Sequence, residues 1–145
     1  MLKLIAFLRP FAVYLLICWV LLIAVFSSLP SIPTLKIHTD KTEIRLDYLI
    51  HFCEYGWLAF LAFLTFSGKE FRVPARKYVI ISFCLVLFAI LDEFHQKFIP
   101  GRAFNVNDIK SDITGIVAGL MFCAVVFRMM EKKGRLKQRG SKPLD

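Results

Sequence analysis

No Cys-x-x-Cys pair, no Cys/His cluster and no His-Glu-x-x-His stretch occurs among the 145 residues. Those absences remove the usual sequence frameworks for structural zinc, disulfide stapling and zincin catalysis. The cysteines, Cys18, Cys53, Cys84 and Cys123, fall one to each apolar run, where they read as small core or lipid-facing residues. No internal repeat is present. Ser111 and Thr114 lie near acids, but no hydroxyl is paired with a histidine at a spacing diagnostic of nucleophilic catalysis. Acids are also scarce, 11 against 19 Lys and Arg, which leaves a formal charge of +8.

Apolar length is what the chain has in abundance. Hydrophobic residues make up 57% of it, with 15 Phe, and four runs approach the roughly 20 residues that cross a bilayer core of about 30 Å. A soluble domain would break such runs with polar faces. The composition predicts an all-α integral membrane protein of four transmembrane helices, with residues 1–130 as one domain and 131–145 as a basic cytoplasmic tail. Lys3 and Arg9 precede a run from Phe11 to Phe26 that is at the long end for a signal peptide, and no A-x-A-like site follows it. That run is expected to be the first membrane helix.

The first segment spans about Phe11 to Leu29 and stops at Pro30 and Pro33, which remove backbone donors. A polar loop is expected from Thr34 to Leu46. The second segment runs from Asp47 to Phe66, and a short basic loop over 68–77 follows. The third starts near Tyr78 and is purely apolar only to Leu91, so spanning requires Asp92 to Phe98 to lie in the helix or at its mouth. Pro100-Gly101 then turns the chain. The fourth runs from Asp108 to Arg128, and a frayed tail is expected from Glu131 onward.

Lys and Arg set the orientation. Thirteen of the nineteen fall in the N-terminus (Lys3, Arg9), the middle loop (Lys69, Arg72, Arg76, Lys77) and the tail, against six in the other two loops. The positive-inside rule predicts N-in/C-in topology in the cytoplasmic membrane, with the polar stretches on the outer side. The basic tail reads as membrane-surface attraction; without interleaved aromatics or a folded platform, no nucleic-acid partner is expected.

Two stretches depart from an ordinary anchor: Asp47 to Tyr55 and Leu91 to Arg102. An ionised side chain near the bilayer centre costs roughly 2.5–3.5 kcal/mol on insertion scales, so such residues mark a polar site between helices by default. Asp47, His51, Glu54, Tyr55 and Leu58 form one helical stripe, and Asp108, Asp112, Gly115 and Gly119 form another. Asp92 and Gln96 share a face, with Glu93 and His95 beside it. Gly115 and Gly119 allow a neighbouring backbone to approach closely. Arg102 has two readings: a counter-charge to Asp92, Glu93 or Asp108, or a fork for a ligand's anionic group. His51-x-x-Glu54 and Asp92-Glu93-x-His95 have metal-like spacing without a complete ligand set, so no metal or cofactor is expected. Glu54, Asp92 and Glu93 are the candidates for acid/base work.

These blocks resemble the VanZ-like membrane protein family. Its pattern is Asp-Lys-x-x-His-Phe-x-x-Tyr, then Asp-Glu-x-x-Gln, then Pro-Gly-Arg, then Asp-x-x-x-(Asn/Asp)-x-x-Gly-x-x-x-Gly. Here the blocks are Asp47 to Tyr55, Asp92 to Gln96, Pro100-Gly101-Arg102, and Asp108 to Gly119. Tyr48 stands where the family often has Lys. The resemblance implies a role in the cell envelope, since the name-giving member is associated with low-level resistance to teicoplanin, a lipoglycopeptide. The resulting expectation is an outward-facing polar pocket in which Asp47, His51, Glu54, Tyr55, Asp92, Glu93, Gln96, Arg102, Asp108 and Asp112 engage an amphipathic ligand. Membrane lipid, a lipid-linked envelope precursor or a lipoglycopeptide would be the partner. A membrane-embedded acid/base or metal-dependent enzyme acting on a lipid-linked head group, and a structural or partner-binding bundle, remain as alternatives.

Overall fold

The computed structural model describes residues 2–30, 36–39, 42–68 and 70–140. The first membrane-length element begins earlier than Phe11. It comprises α1 (Leu2–Leu8), a 3₁₀ turn over Arg9–Phe11 and α2 (Ala12–Ser28), together a 27-residue apolar span. Pro10 has no N–H to donate, so the helix tightens there instead of continuing as regular α. Leu29 ends α2 in an extended conformation (φ −76°, ψ 127°), as the ring of Pro30 demands of the residue before it.

The stretch expected as a polar loop contains two short antiparallel strands, β1 (Lys36–Thr39) and β2 (Thr42–Arg45), with Ile37 opposite Ile44. Among the described residues, the regular structure is therefore all-helical apart from this hairpin. Its β-branched Ile and Thr residues suit extended pairing. Asp40 and Lys41 lie outside the described residues.

Three further helices follow: α3 (Leu46–Phe66), α4 (Ala75–Gln96) and α5 (Val106–Gly140). With the first span, they make four helices long and apolar enough to cross a membrane. Asp92 to Gln96 extends α4 to spanning length, as the sequence required. The expected fraying from Glu131 onward is corrected: α5 runs unbroken to Gly140, and only 141–145 lie outside the described residues. Lys, Arg, Leu and Gln there are good helix formers continuing a helix already nucleated in the membrane segment.

α3 is the central element. Leu58 to Leu64 are seven consecutive buried residues, so every face of that stretch is covered by neighbours. It packs most extensively on α5, and the two run parallel: His51 meets Asp112, and Phe60 meets Phe122 nine to ten residues deeper at a ring separation of 5.7 Å. α2 runs antiparallel to α3, with Arg9 Nη2 donating to the Ser67 carbonyl at one end and Trp19 against Trp57 further along. Tyr14, Ile17, Leu21 and Val25 form an exposed apolar row on α2, the face suited to lipid. At the end shared by the chain termini, Arg72 pairs with Glu131 across the surface. The opposite end, where α2 and α4 finish and α3 and α5 begin, carries nearly all the acids of the membrane segments.

Candidate functional site

Close packing of α3 on α5 sets the depth of the polar end. A Cβ on Gly115 would fall on the Phe52 carbonyl oxygen, and one on Gly119 would lie 2.5 Å from the Gly56 oxygen. Neither contact admits a side chain, so the two backbones touch along the stripe predicted from Gly115 and Gly119. Gly56, the α3 partner of both, was not legible beforehand, because spacing on α5 does not name the helix opposite.

One turn above that contact, His51 Nδ1 lies 2.9 Å from Asp112 Oδ1. Asp112 is only 1% exposed, and a buried carboxylate is tolerated when paired and hydrogen-bonded. Asp108 is also buried, in the first turn of α5, where the positive end of the helix dipole favours an acid.

The α4 stretch divides among three neighbours. Asp92 Oδ2 accepts from the Tyr55 hydroxyl at 3.2 Å and from Gln96 Nε2 at 3.3 Å. Glu93 points to the start of α5, and its Oε1 accepts from the N–H of Asn105, the residue before that helix, at 2.6 Å. His95 lies on a third face, its Nε2 3.2 Å from the Ser28 hydroxyl at the end of α2. His95 and Glu93 thus diverge, and the metal-like spacing of this stretch does not become a metal-like arrangement. Among the described residues, no three His, Cys, Asp or Glu side chains converge as a ligand set.

Arg102 lines the groove and makes contacts that neither expectation named. The Ile99-Pro100-Gly101-Arg102 turn closes with an Arg102 N–H to Ile99 carbonyl bond of 3.1 Å, and Gly101 has φ 79° at the position where a type II turn needs it. That turn swings the guanidinium back over the end of α2. Its Nη2 donates to the Phe26 carbonyl at 2.9 Å, its Nε to the Leu29 carbonyl at 3.4 Å and its Nη1 to Gln96 Oε1 at 3.0 Å. Arg102 caps the C-terminus of α2, satisfying carbonyls that the helix itself leaves orphaned. It reaches Asp92 only through Gln96.

Between α2 and α3 these residues leave a groove of about 840 Å³, within the roughly 300–1,000 Å³ of small-molecule pockets. Its walls are apolar: Trp19, Leu22 and Phe26 from α2 face Ile50, Cys53 and Trp57 from α3. Leu22, Ile50 and Trp57 are exposed, so the groove opens sideways between the two helices. Its polar end is made by Asp47, His51, Glu54, Asp92, Gln96 and Arg102. The other four expected site residues, Tyr55, Glu93, Asp108 and Asp112, are buried elsewhere in the polar network. Trp19, an unanticipated member, donates its Nε1–H to the Glu54 carbonyl at 3.0 Å. A buried-edge indole N–H in an otherwise apolar run needs such a partner, which is the signal that could have found it. Asn105 was missed too, although an Asn ahead of a helix start is a cap signature: its Oδ1 accepts from the Asn107 N–H.

A family model described as VanZ/LLP1 matches residues 11–128. The chain belongs to the VanZ/LLP1 family. The matched region takes in the whole groove, the α3–α5 contact and the turn that carries Arg102, so the site belongs to the VanZ/LLP1 part of the chain. Family and helices together make this a multi-pass membrane protein. No curated protein and no solved structure matches it.

Proposed function

We propose that this VanZ/LLP1 protein holds an amphipathic envelope molecule in the groove between α2 and α3, and thereby lowers susceptibility to teicoplanin-type lipoglycopeptides. One observation carries the reading: an apolar, sideways-open groove ends on a polar cluster. Such a shape suits a molecule that arrives within the bilayer, tail between the helices and head at the membrane mouth. Family membership supports the link to lipoglycopeptides. The excess of Lys and Arg at the end shared by the termini supports N-in/C-in insertion in the cytoplasmic membrane, which turns the polar cluster outward.

Orientation is tested with single cysteines in a chain whose native cysteines are replaced by Ala. A cysteine at Arg102 should react with an impermeant thiol reagent in intact cells, and one at Lys133 should not; the reverse pattern overturns the outward-facing site. Function is tested by filling the groove. Cys53 is exposed and lines it, so Cys53→Trp adds bulk there with little cost to the fold. Cells expressing the wild type should tolerate more teicoplanin than empty-vector cells, and Cys53→Trp should abolish the difference at equal membrane protein level. Full protection by the filled variant would rule out the groove. No difference between wild type and empty vector would rule out lipoglycopeptides.

A further inference from the structure

Which head group the groove accepts can be read from where its charges are spent. This inference rests on the groove being a ligand site. Arg102 is the one arginine that lines the groove among the described residues, and three of its five N–H groups already donate to protein oxygens, those of Phe26, Leu29 and Gln96. Its charge is set against the negative end of the α2 dipole. His51, the other basic residue there, is held by Asp112 at 2.9 Å. The acids are spent differently. Among the described residues, Asp92 accepts only from the neutral donors Tyr55 and Gln96. No hydrogen bond from the described residues reaches the Glu54 carboxylate, which lines the groove half-buried beside Trp19 and Trp57.

We infer that the groove takes a membrane amphiphile with a positively charged, ammonium-bearing head, and not a phosphate head. Its tail would lie between Leu22 and Phe26 of α2 and Ile50 and Trp57 of α3. Its ammonium would sit at Glu54 and Asp92, neither of which forms an ion pair with a cation among the described residues. A phosphate in the same place would face two carboxylates, with only two of the five Arg102 N–H groups left uncommitted. Trp19 and Trp57 supply rings beside the head, a favourable surface for an alkylammonium.

Trp19 and Trp57 are the chain's two tryptophans and both line the groove, so intrinsic fluorescence reports on it directly. The full chain in a neutral detergent is titrated with chain-brominated dodecylammonium, dodecyl phosphate and dodecanol, and tryptophan quenching is followed. The ammonium probe should half-quench at a concentration about tenfold below the phosphate, although the chain's charge of +8 favours the anion. Glu54→Gln keeps the side-chain shape and should cut that preference about threefold or more, with dodecanol unchanged. Butylammonium at millimolar concentration should not displace the long probe. A phosphate preference equal to or above the ammonium, or an intact preference in Glu54→Gln, overturns the cation inference and leaves the groove standing. Displacement by butylammonium overturns the need for a tail. The absence of saturable quenching by any of the three probes removes the groove itself as a ligand site.

Discussion

α3 meets two partners in opposite ways. Against α5 it presents Gly56 to Gly115 and Gly119, and the backbones come into contact. Against α2 it presents Trp57 to Trp19, rings 6.5 Å apart and nearly perpendicular, and the helices stay separated around a groove of about 840 Å³. The same helix makes a seal on one side and an opening on the other. Side-chain size decides which. In a bilayer, where burying apolar surface between helices brings little gain, contact follows from how closely backbones can approach. The seal also fixes the height at which His51 meets Asp112, and so gives the groove a rigid polar end.

The seal is where a single change should do most damage. Gly115→Leu places a branched side chain on the Phe52 carbonyl and cannot relax without parting α3 from α5. The expected loss exceeds about 4 kcal/mol, read as no monodisperse protein after detergent extraction. Normal yield and thermal stability would mean that the two helices do not touch there, and the contrast with α2 would collapse.

His51→Ala comes next. It leaves Asp112 buried without its partner and should cost about 2–3 kcal/mol, below the 3–5 of a fully buried pair because His51 retains some exposure. The double variant His51→Ala/Asp112→Ala should recover part of the loss in a thermal-unfolding comparison. Strict additivity would show that the pair contributes nothing to the polar end.

At the mouth of the groove the effect should be smaller. Arg102→Ala deprives the carbonyls of Phe26 and Leu29 of a donor, but water and head groups can reach them, so about 1–2 kcal/mol is expected. Thermal stability should fall modestly, and α2 should loosen at its end, measured as faster hydrogen exchange over residues 26–29. Exchange unchanged there would deny Arg102 its capping role. Trp19→Phe should be the mildest, at or below about 1 kcal/mol. Its ring still fills the wall while its bond to the Glu54 carbonyl is lost. A large loss would mean that α2 is held to α3 through this indole and not through its apolar face.

Much of this arrangement was legible in advance, in the form that periodicity allows. Gly115 and Gly119 were readable as a contact stripe, and His51 and Asp112 as members of inward stripes, because a helix maps i, i+4 and i+7 onto one side. The stripe of Asp47, His51, Glu54 and Tyr55 is wide enough, however, to touch several neighbours. His51 goes to α5, Tyr55 to Asp92 on α4, and Glu54 to the groove beside α2. Spacing alone could not separate these directions. The tail from Glu131 was misread for a related reason: its charges argue against a packed core, but not against the continuation of a helix that α5 had already begun.

Membrane class, number of spans, polar end and family all follow from hydrophobic length, charge placement and motif order, which are properties of the chain read in one dimension. The use of each polar group depends instead on how the helices pack. Arg102 could be assigned to a carboxylate or a ligand from its neighbours in sequence, yet its donors go to carbonyls of Phe26 and Leu29, more than seventy positions away. Those carbonyls carry no sequence signal, since every residue has one. They become partners only because α2 ends just before Pro30, beside the turn that Gly101 makes, and that proximity exists only once the helices have packed.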